Sequence, residues 1–263
     1  MKNYAIGIMG IGMVGGSVAR YFESRGMKPI LYDPPRGLDS KEEINKAEIV
    51  FICVPTPYDE EKGGFDLSFV KTALSVLGGE KIVVLKSTIL PGSTDQIQAG
   101  FPQHKILFNP EFLTEVSADQ DMSYPDRQIV GYTEKSFNVA KDVMLLLPLA
   151  PFERIVPAKV AEMVKYFNNT WFSTKVVFAN QVFDVCEKMN IDYDSVRDCA
   201  SADKRVGPSH LDVFHMGYRG YGGKCLPKDT RAFIQLGDRL GADQQLLKAV
   251  ENINNELIRK QGS

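Results

Sequence analysis

Short apolar runs alternate with segments whose apolar residues fall three and four apart over the first 156 residues or so. Tyr4-Ala5-Ile6-Gly7-Ile8-Met9 reads as a buried strand, and Ser17 to Phe22 follows at helical spacing. Further strands are expected at Pro29 to Tyr32, Ile49 to Val54, Lys81 to Leu85, Lys105 to Phe108 and Gln128 to Val130. Helices are expected around Asp66 to Leu77 and over Glu134 to Leu146. Such alternation predicts an α/β fold with a mostly parallel sheet and helices on both faces. The polar clusters Pro55-Thr56-Pro57, Lys86-Ser87-Thr88 and Asn109-Pro110-Glu111 stand just past strand ends. In open sheets of this kind ligands gather at the carboxyl ends of the strands.

From about Pro157 the pattern turns helical, and no glycine or proline interrupts it before Met189. At about 1.5 Å per residue that helix runs to roughly 45 Å. Its apolar residues, among them Phe167, Trp171, Phe178 and Val185, cover more than one face and call for partners on several sides. The expected domains are residues 1–156, a Rossmann-type nucleotide-binding domain, and 157–263, an all-helical central domain that also pairs two chains. Lys165 and Asn169 lie four apart on one helical face, where an ammonium and an amide can donate to a developing oxyanion. The same pair also suits an ordinary solvated helix edge.

Two glycine-rich segments carry the candidate chemistry. Gly10-Ile11-Gly12-Met13-Val14-Gly15 sits between a strand and a helix, and Asp33 ends the next strand. In that context the glycines admit a pyrophosphate to a helix N-terminus, and the acid binds ribose hydroxyls. A carboxylate at Asp33 repels a 2′-phosphate and favours NAD over NADP, although Arg36 stands close by. Near the other end, Gly220-Tyr221-Gly222-Gly223-Lys224-Cys225-Leu226-Pro227-Lys228-Asp229 places a cysteine before a helix-starting proline. A thiol at a helix N-terminus is favoured as thiolate and hence as nucleophile. A buried structural cysteine beside a glycine turn is the plainer alternative.

Composition narrows the classes. The 263 residues suffice for two modest domains, and a formal net charge of −2 gives no sign of a nucleic-acid surface or an acidic membrane partner. The longest leucine-rich run, Met144 to Leu149, is too short to span a bilayer. Four dispersed cysteines and three scattered histidines suggest no metal site and a reducing, cytoplasmic setting.

Taken in order, these segments resemble the UDP-glucose/GDP-mannose dehydrogenase family. The resemblance also draws on Phe112-Leu113, Pro125-Asp126-Arg127, Glu162 and Asp203-Lys204-Arg205-Val206-Gly207. It implies a four-electron oxidation of a sugar nucleotide's C6 alcohol to a carboxylate, reducing two NAD. By resemblance Cys225 is the nucleophile and Lys165 and Asn169 stabilise oxyanions. Asp229 and Thr88 hold a water, and Glu111 assists thioester hydrolysis. Gly10, Gly12, Met13, Val14, Gly15, Asp33, Val54, Pro55, Thr56 and Thr88 contact NAD. Glu115, Lys165, Arg205, Tyr221, Gly222 and Lys228 face a UDP- or GDP-linked hexose, with Arg205 reaching across a homodimer interface.

The match departs at two places. Tyr218-Arg219 stands where relatives usually carry glycine and proline, and Lys224 where a small residue is common. Relatives also continue into a third, nucleotide-gripping domain, whereas this sequence ends at Ser263. Two alternatives follow: an NAD-binding dimerisation module served by a separate chain, or a dehydrogenase of a smaller hydroxy substrate.

Overall fold

A computed structural model describes residues 4–61, 64–114, 116–215, 217–223 and 225–261. The chain divides into two compact units, Met1–Lys165 and Tyr166–Ser263. The division falls inside the long helix rather than at its start.

The first unit runs β1 (Ile6–Met9), α1 (Met13–Ser24), β2 (Ile30–Tyr32), α2 (Lys41–Ile44) and β3 (Ile49–Ile52). A two-residue hairpin follows, β4 (Tyr58–Asp59) with β5 (Gly64–Phe65), then α3 (Ser68–Val76), β6 (Ile82–Leu85) and α4 (Ser93–Gly100). The unit continues with β7 (Lys105–Phe108), α5 (Ala118–Ser123), β8 (Arg127–Tyr132), α6 (Ala140–Leu146) and β9 (Phe152–Pro157). Seven strands form one sheet in the order β2-β1-β3-β6-β7-β8-β9. All pairs are parallel except β7 with β8. The helix expected over Glu134 to Leu146 begins as a 3-10 turn, Glu134–Val139, before α6.

Strand alternation divides the core in two. Val50, Ile52, Val83, Leu85, Ile106 and Phe108 pack into one apolar cluster. Ile8, Phe51, Val84 and Leu107 pack into another. Successive side chains on a strand point to opposite faces, so the two clusters are the two covered faces of one sheet. Central strands buried on both faces read as unbroken apolar runs, which is how they appear in the sequence.

The long helix α7 (Ala158–Met189) is followed by α8 (Tyr193–Ser201), a hairpin of β10 (Phe214–His215) with β11 (Tyr218–Arg219), α9 (Leu226–Arg239) and α10 (Gln245–Gln261). The second unit is thus helical apart from that hairpin. Val176 and Val177 of α7 pack with Tyr221 and Val250, and Ala179 and Cys186 pack with Tyr193, Leu211 and Val213. Another side of α7 stays exposed: Val160, Met163, Phe167, Trp171, Phe178, Val185 and Met189. At about 100° per residue these seven fall on one continuous stripe.

Candidate functional site

In the first unit the glycine turn is tight at Gly10 and Gly15, where a side chain would collide with backbone. Gly10 has φ +86°, and a Cβ there would lie 2.9 Å from the Cys53 carbonyl carbon and oxygen. A Cβ on Gly15 would stand 1.9 Å from the Gly10 carbonyl oxygen. Gly12 caps α1, and Met13 and Val14 open it. Asp33 follows β2, and its Oδ2 accepts a 2.7 Å hydrogen bond from the Ile11 N–H. Arg36 Nε lies 3.6 Å from the same oxygen. The acid is therefore fixed against the glycine turn, which leads directly into the N-terminus of α1. This cradle suits a pyrophosphate and an adjacent ribose diol.

The strand-end clusters are joined by hydrogen bonds. Thr56 Oγ1 donates to the Thr88 carbonyl at 2.7 Å, and Ser87 Oγ donates to the Val54 carbonyl at 2.6 Å. Pro55, beside them, is exposed. After β6 the chain sets a buried lysine, and after β7 a buried asparagine. Lys86 Nζ donates to Asn109 Oδ1 at 2.6 Å, and Asn109 donates in turn to the Ile129 carbonyl at 2.8 Å. Burial holds Lys86 below the ordinary lysine value, against the opposing pull of Cys53 and Glu111. Burial pushes the Cys53 thiol up to about 12, so Cys53 is inert as a nucleophile.

Lys165 pairs with Glu111, which also accepts from Leu113 N–H at 3.0 Å. Lys165 Nζ reaches the Glu111 carbonyl as well, at 3.1 Å. The two side chains are 6% and 10% exposed, so the pair is almost dry. Burial pushes Glu111 up, but Lys165, with the Leu113 N–H and Lys86, holds the carboxyl below its ordinary value. One turn earlier on α7, Glu162 is fully buried. It accepts from Gly92 N–H at 2.6 Å and from the Thr94 N–H and hydroxyl at 2.8 and 2.6 Å. Glu162 thereby anchors α7 to the first turn of α4, whose unsatisfied amides welcome a carboxylate.

In the second unit Cys225 is the N-cap of α9 with Pro227 in the first turn, as the sequence predicts. Cys225 is exposed and in no disulfide. Its carbonyl accepts from the Asp229 N–H at 3.0 Å, closing the first helical turn. Asp229 is fully buried; Asn169 Nδ2 donates to it at 2.5 Å and Lys228 Nζ at 2.6 Å. Nearby, Ser173 and Thr230 share a 2.9 Å hydrogen bond. The sequence candidates Asn169, Lys228 and Asp229 therefore meet around the turn that Cys225 begins.

Tyr221 is buried four residues before the thiol, and burial raises its hydroxyl to about 12. A Cβ on Gly222 would lie 2.6 Å from the Tyr218 hydroxyl oxygen, so Tyr218 closes over that glycine. Arg219 Nε donates to Asn180 Oδ1 at 2.9 Å, and its Nη2 pairs with Asp184 at 2.6 Å. The departing dipeptide Tyr218-Arg219 thus packs the cysteine approach against α7. Arg205 projects outward, 90% exposed, and pairs with Asp203 at 2.5 Å. Lys175 is buried and donates to the Val206 carbonyl at 3.0 Å, pinning the end of the same loop. Glu115 and Lys224 lie outside the described residues.

The sequence reading named Lys86, Asn109 and Glu162 in segments but gave them no contact, and it passed over Lys175. A charged residue in an otherwise apolar run is the signal that would have marked Lys86 and Lys175 as buried. Among the described residues no group of histidine, cysteine or carboxylate side chains could hold a metal ion, and no helix is long and apolar enough to cross a membrane.

Residues 37–144 match the UDP-glucose/GDP-mannose dehydrogenase family, NAD binding domain, and residues 159–256 match the central domain of the same family. A UDP-glucose 6-dehydrogenase of Pseudomonas aeruginosa is 36% identical over 231 residues, covering 81% of this chain and 49% of that protein. One from Bacillus subtilis is 33% identical over 224 residues, again covering 81% and 49%. The chain spans about half the length of these curated relatives. A solved UDP-glucose dehydrogenase from Pyrobaculum islandicum superposes with a TM-score of 0.83 at 28% identity, covering 97% of this chain and 68% of that one. The first unit is thus an NAD-binding domain with a mostly parallel sheet, the segment after it matches the central domain, and the chain belongs to the UDP-glucose/GDP-mannose dehydrogenase family.

Proposed function

We propose that this chain carries the NAD-binding and catalytic parts of a nucleotide-sugar 6-dehydrogenase, which oxidises the C6 alcohol of a UDP- or GDP-linked hexose to the uronic acid. The observation that carries the reading is Cys225 at the N-cap of α9, with buried Asp229 one turn on holding Asn169 and Lys228. NAD, held by the Gly10–Gly15 turn and Asp33, supplies the hydride acceptor in each of two oxidations.

The first oxidation removes a proton and a hydride from the alcohol and leaves an aldehyde. An aldehyde yields a second hydride readily only after a nucleophile has added. The Cys225 thiolate forms a C–S bond to the aldehyde carbon, and protonation of the oxyanion gives a thiohemiacetal. Loss of the hydroxyl proton and of the second hydride gives a thioester, which water hydrolyses to the carboxylate with cleavage of the C–S bond and return of the thiol. Lys165 and Asn169 are the oxyanion donors. At rest each is held by an acid, Glu111 and Asp229 respectively. An oxyanion therefore replaces an existing anionic partner rather than meeting bare donors. Asp229 and Thr88 hold the water, and Glu111 assists hydrolysis. Glu115, Tyr221, Gly222 and Lys228 line the sugar nucleotide, and Arg205 serves the second copy of a homodimer formed along the α7 stripe. A thiol that must stay reduced suits the cytoplasm.

The test is NADH formed per sugar nucleotide consumed, with UDP-glucose and GDP-mannose in separate arms. Two NADH per substrate is expected in one arm. One NADH per substrate would mean that the second oxidation is absent and Cys225 idle. No turnover with intact NAD binding would make the chain an NAD-binding module that acts only beside another chain.

A further inference from the structure

The segment that leads to Cys225 is gripped twice by α10. Asn254 Oδ1 accepts from the Tyr221 N–H at 2.7 Å, and Asn254 Nδ2 donates to the Tyr221 carbonyl at 2.9 Å. Gln261 repeats the arrangement two residues earlier on the segment. Its Oε1 accepts from the Arg219 N–H at 2.6 Å, and its Nε2 donates to the Arg219 carbonyl at 3.0 Å. A side-chain amide matches a peptide group donor for acceptor. Two of them on alternate residues therefore imitate a neighbouring strand.

The spacing fits the helix. Asn254 and Gln261 are seven residues apart, two turns, and share a face of α10. Side chains on a helix lean towards its N-terminus, and the longer glutamine reaches back further. Between the two grips Gly220 has φ +88°, and a Cβ there would lie 2.7 Å from Asn254 Oδ1. The inner grip is dry, because Asn254 is 2% exposed and Tyr221 4%. A buried amide that makes both of its hydrogen bonds specifies one arrangement, since any slip leaves polar groups unpaired.

We propose that Asn254 and Gln261 are positioning residues that fix the approach to Cys225, so that the placement of α10 is transmitted to the thiol. Each acts through the backbone of residues 219 and 221. The inference takes its catalytic meaning from the reading of Cys225 as nucleophile, but its test needs no turnover.

The test is alkylation of the whole chain by iodoacetamide across pH, with each cysteine quantified by peptide mass spectrometry. Cys199, exposed on α8, is the internal reference. Gln261→Met keeps side-chain length and removes the amide. It should slow Cys225 at least threefold relative to Cys199 near neutral pH and move the Cys225 profile towards higher pH. Gln261→Glu, which keeps the acceptor for the Arg219 N–H, should recover part of the rate. Asn254→Asp, which loses only the donor to the Tyr221 carbonyl, should act in the same direction as Gln261→Met. General loosening would change both cysteines together and leave their ratio constant, and a constant ratio in Gln261→Met would overturn the proposal. Gln261 is exposed, so its variants keep the test readable where Asn254→Asp fails to fold. An inactive chain whose thiol still responds would refute the proposed function and leave this inference standing.

Discussion

Removing Lys165 should reverse the sign of a pH effect. In the intact chain Glu111 is nine-tenths buried, and Lys165 holds its carboxyl below the ordinary value of 4.5. A depressed carboxyl contributes stability above its unfolded pKa, and that stability is lost as pH falls through the folded value. The parent should therefore lose this contribution in acid below about pH 4.5. Lys165→Met leaves burial as the largest influence on Glu111, opposed only by the Leu113 N–H and Lys86. The carboxyl then rises, and the first unit loses stability as pH climbs from about 4.5 towards neutrality. Breaking a buried pair on one side costs about 3–5 kcal/mol at neutral pH. The assay is urea unfolding at pH 4, 5, 6 and 7, followed by hydrogen exchange of the β6 and β7 amides so that the first unit is read by itself. Lys165→Met/Glu111→Gln removes the stranded charge and should recover most of the loss. A cost below about 1 kcal/mol at pH 7, with no change of slope and no rescue by the double variant, would mean that the pair is solvated and the reasoning wrong.

Gly15→Ala should abolish NAD binding in calorimetric titration and cost about 1–3 kcal/mol of stability, because its Cβ would collide with the Gly10 carbonyl. Asp33→Asn should narrow the preference for NAD over NADP at least tenfold; unchanged preference in paired titrations would assign the discrimination elsewhere. Trp171→Glu together with Phe178→Glu should convert a sedimenting dimer to monomer without changing the circular dichroism spectrum, and a parent that already sediments as monomer would remove any cross-subunit role for Arg205. Cys225→Ser should oxidise the alcohol but stall on the C6 aldehyde supplied directly, by a hundredfold or more, as aldehyde oxidation at the parent rate would exclude Cys225 as nucleophile.

The main strands and helices were legible because each has one dominant local cause. Central strands buried on both faces are bare apolar runs, and α7 lacks any breaker over 32 residues. Cys225 could be placed at a helix start because Pro227 fits the first turn and little else. What escaped the sequence was set by tertiary partners. β9 has exposed apolar residues beside Glu153 and Arg154, and only its neighbour β8 makes it a strand. The glutamate that anchors α4 and the amides that grip residues 219 and 221 are ordinary polar letters on helices. Their partners lie 68 and 70 residues away for Glu162, and 33 and 42 away for Asn254 and Gln261. Helical spacing says which face such a residue occupies and nothing about what reaches that face. Tyr218-Arg219 read as a departure from the family; in the structure it is a packing solution, with Arg219 meeting Asn180 and Asp184.

The open rims of the large sheet bear on how the protein behaves at high concentration. One rim, β2, is three residues long, too short to template a neighbour. The other, β9, is six residues long and carries exposed Phe152 and Ile155. Lengthy apolar rims invite another molecule's strand and so lead to aggregation. Here Glu153 and Arg154 put opposite charges in the middle of that rim, and Pro157 offers no N–H at its end. These three residues act as gatekeepers against cross-β growth. Arg154→Val would leave Ile155 and Val156 in an uninterrupted β-branched run, and the same folded unit would become prone to fibrous precipitation.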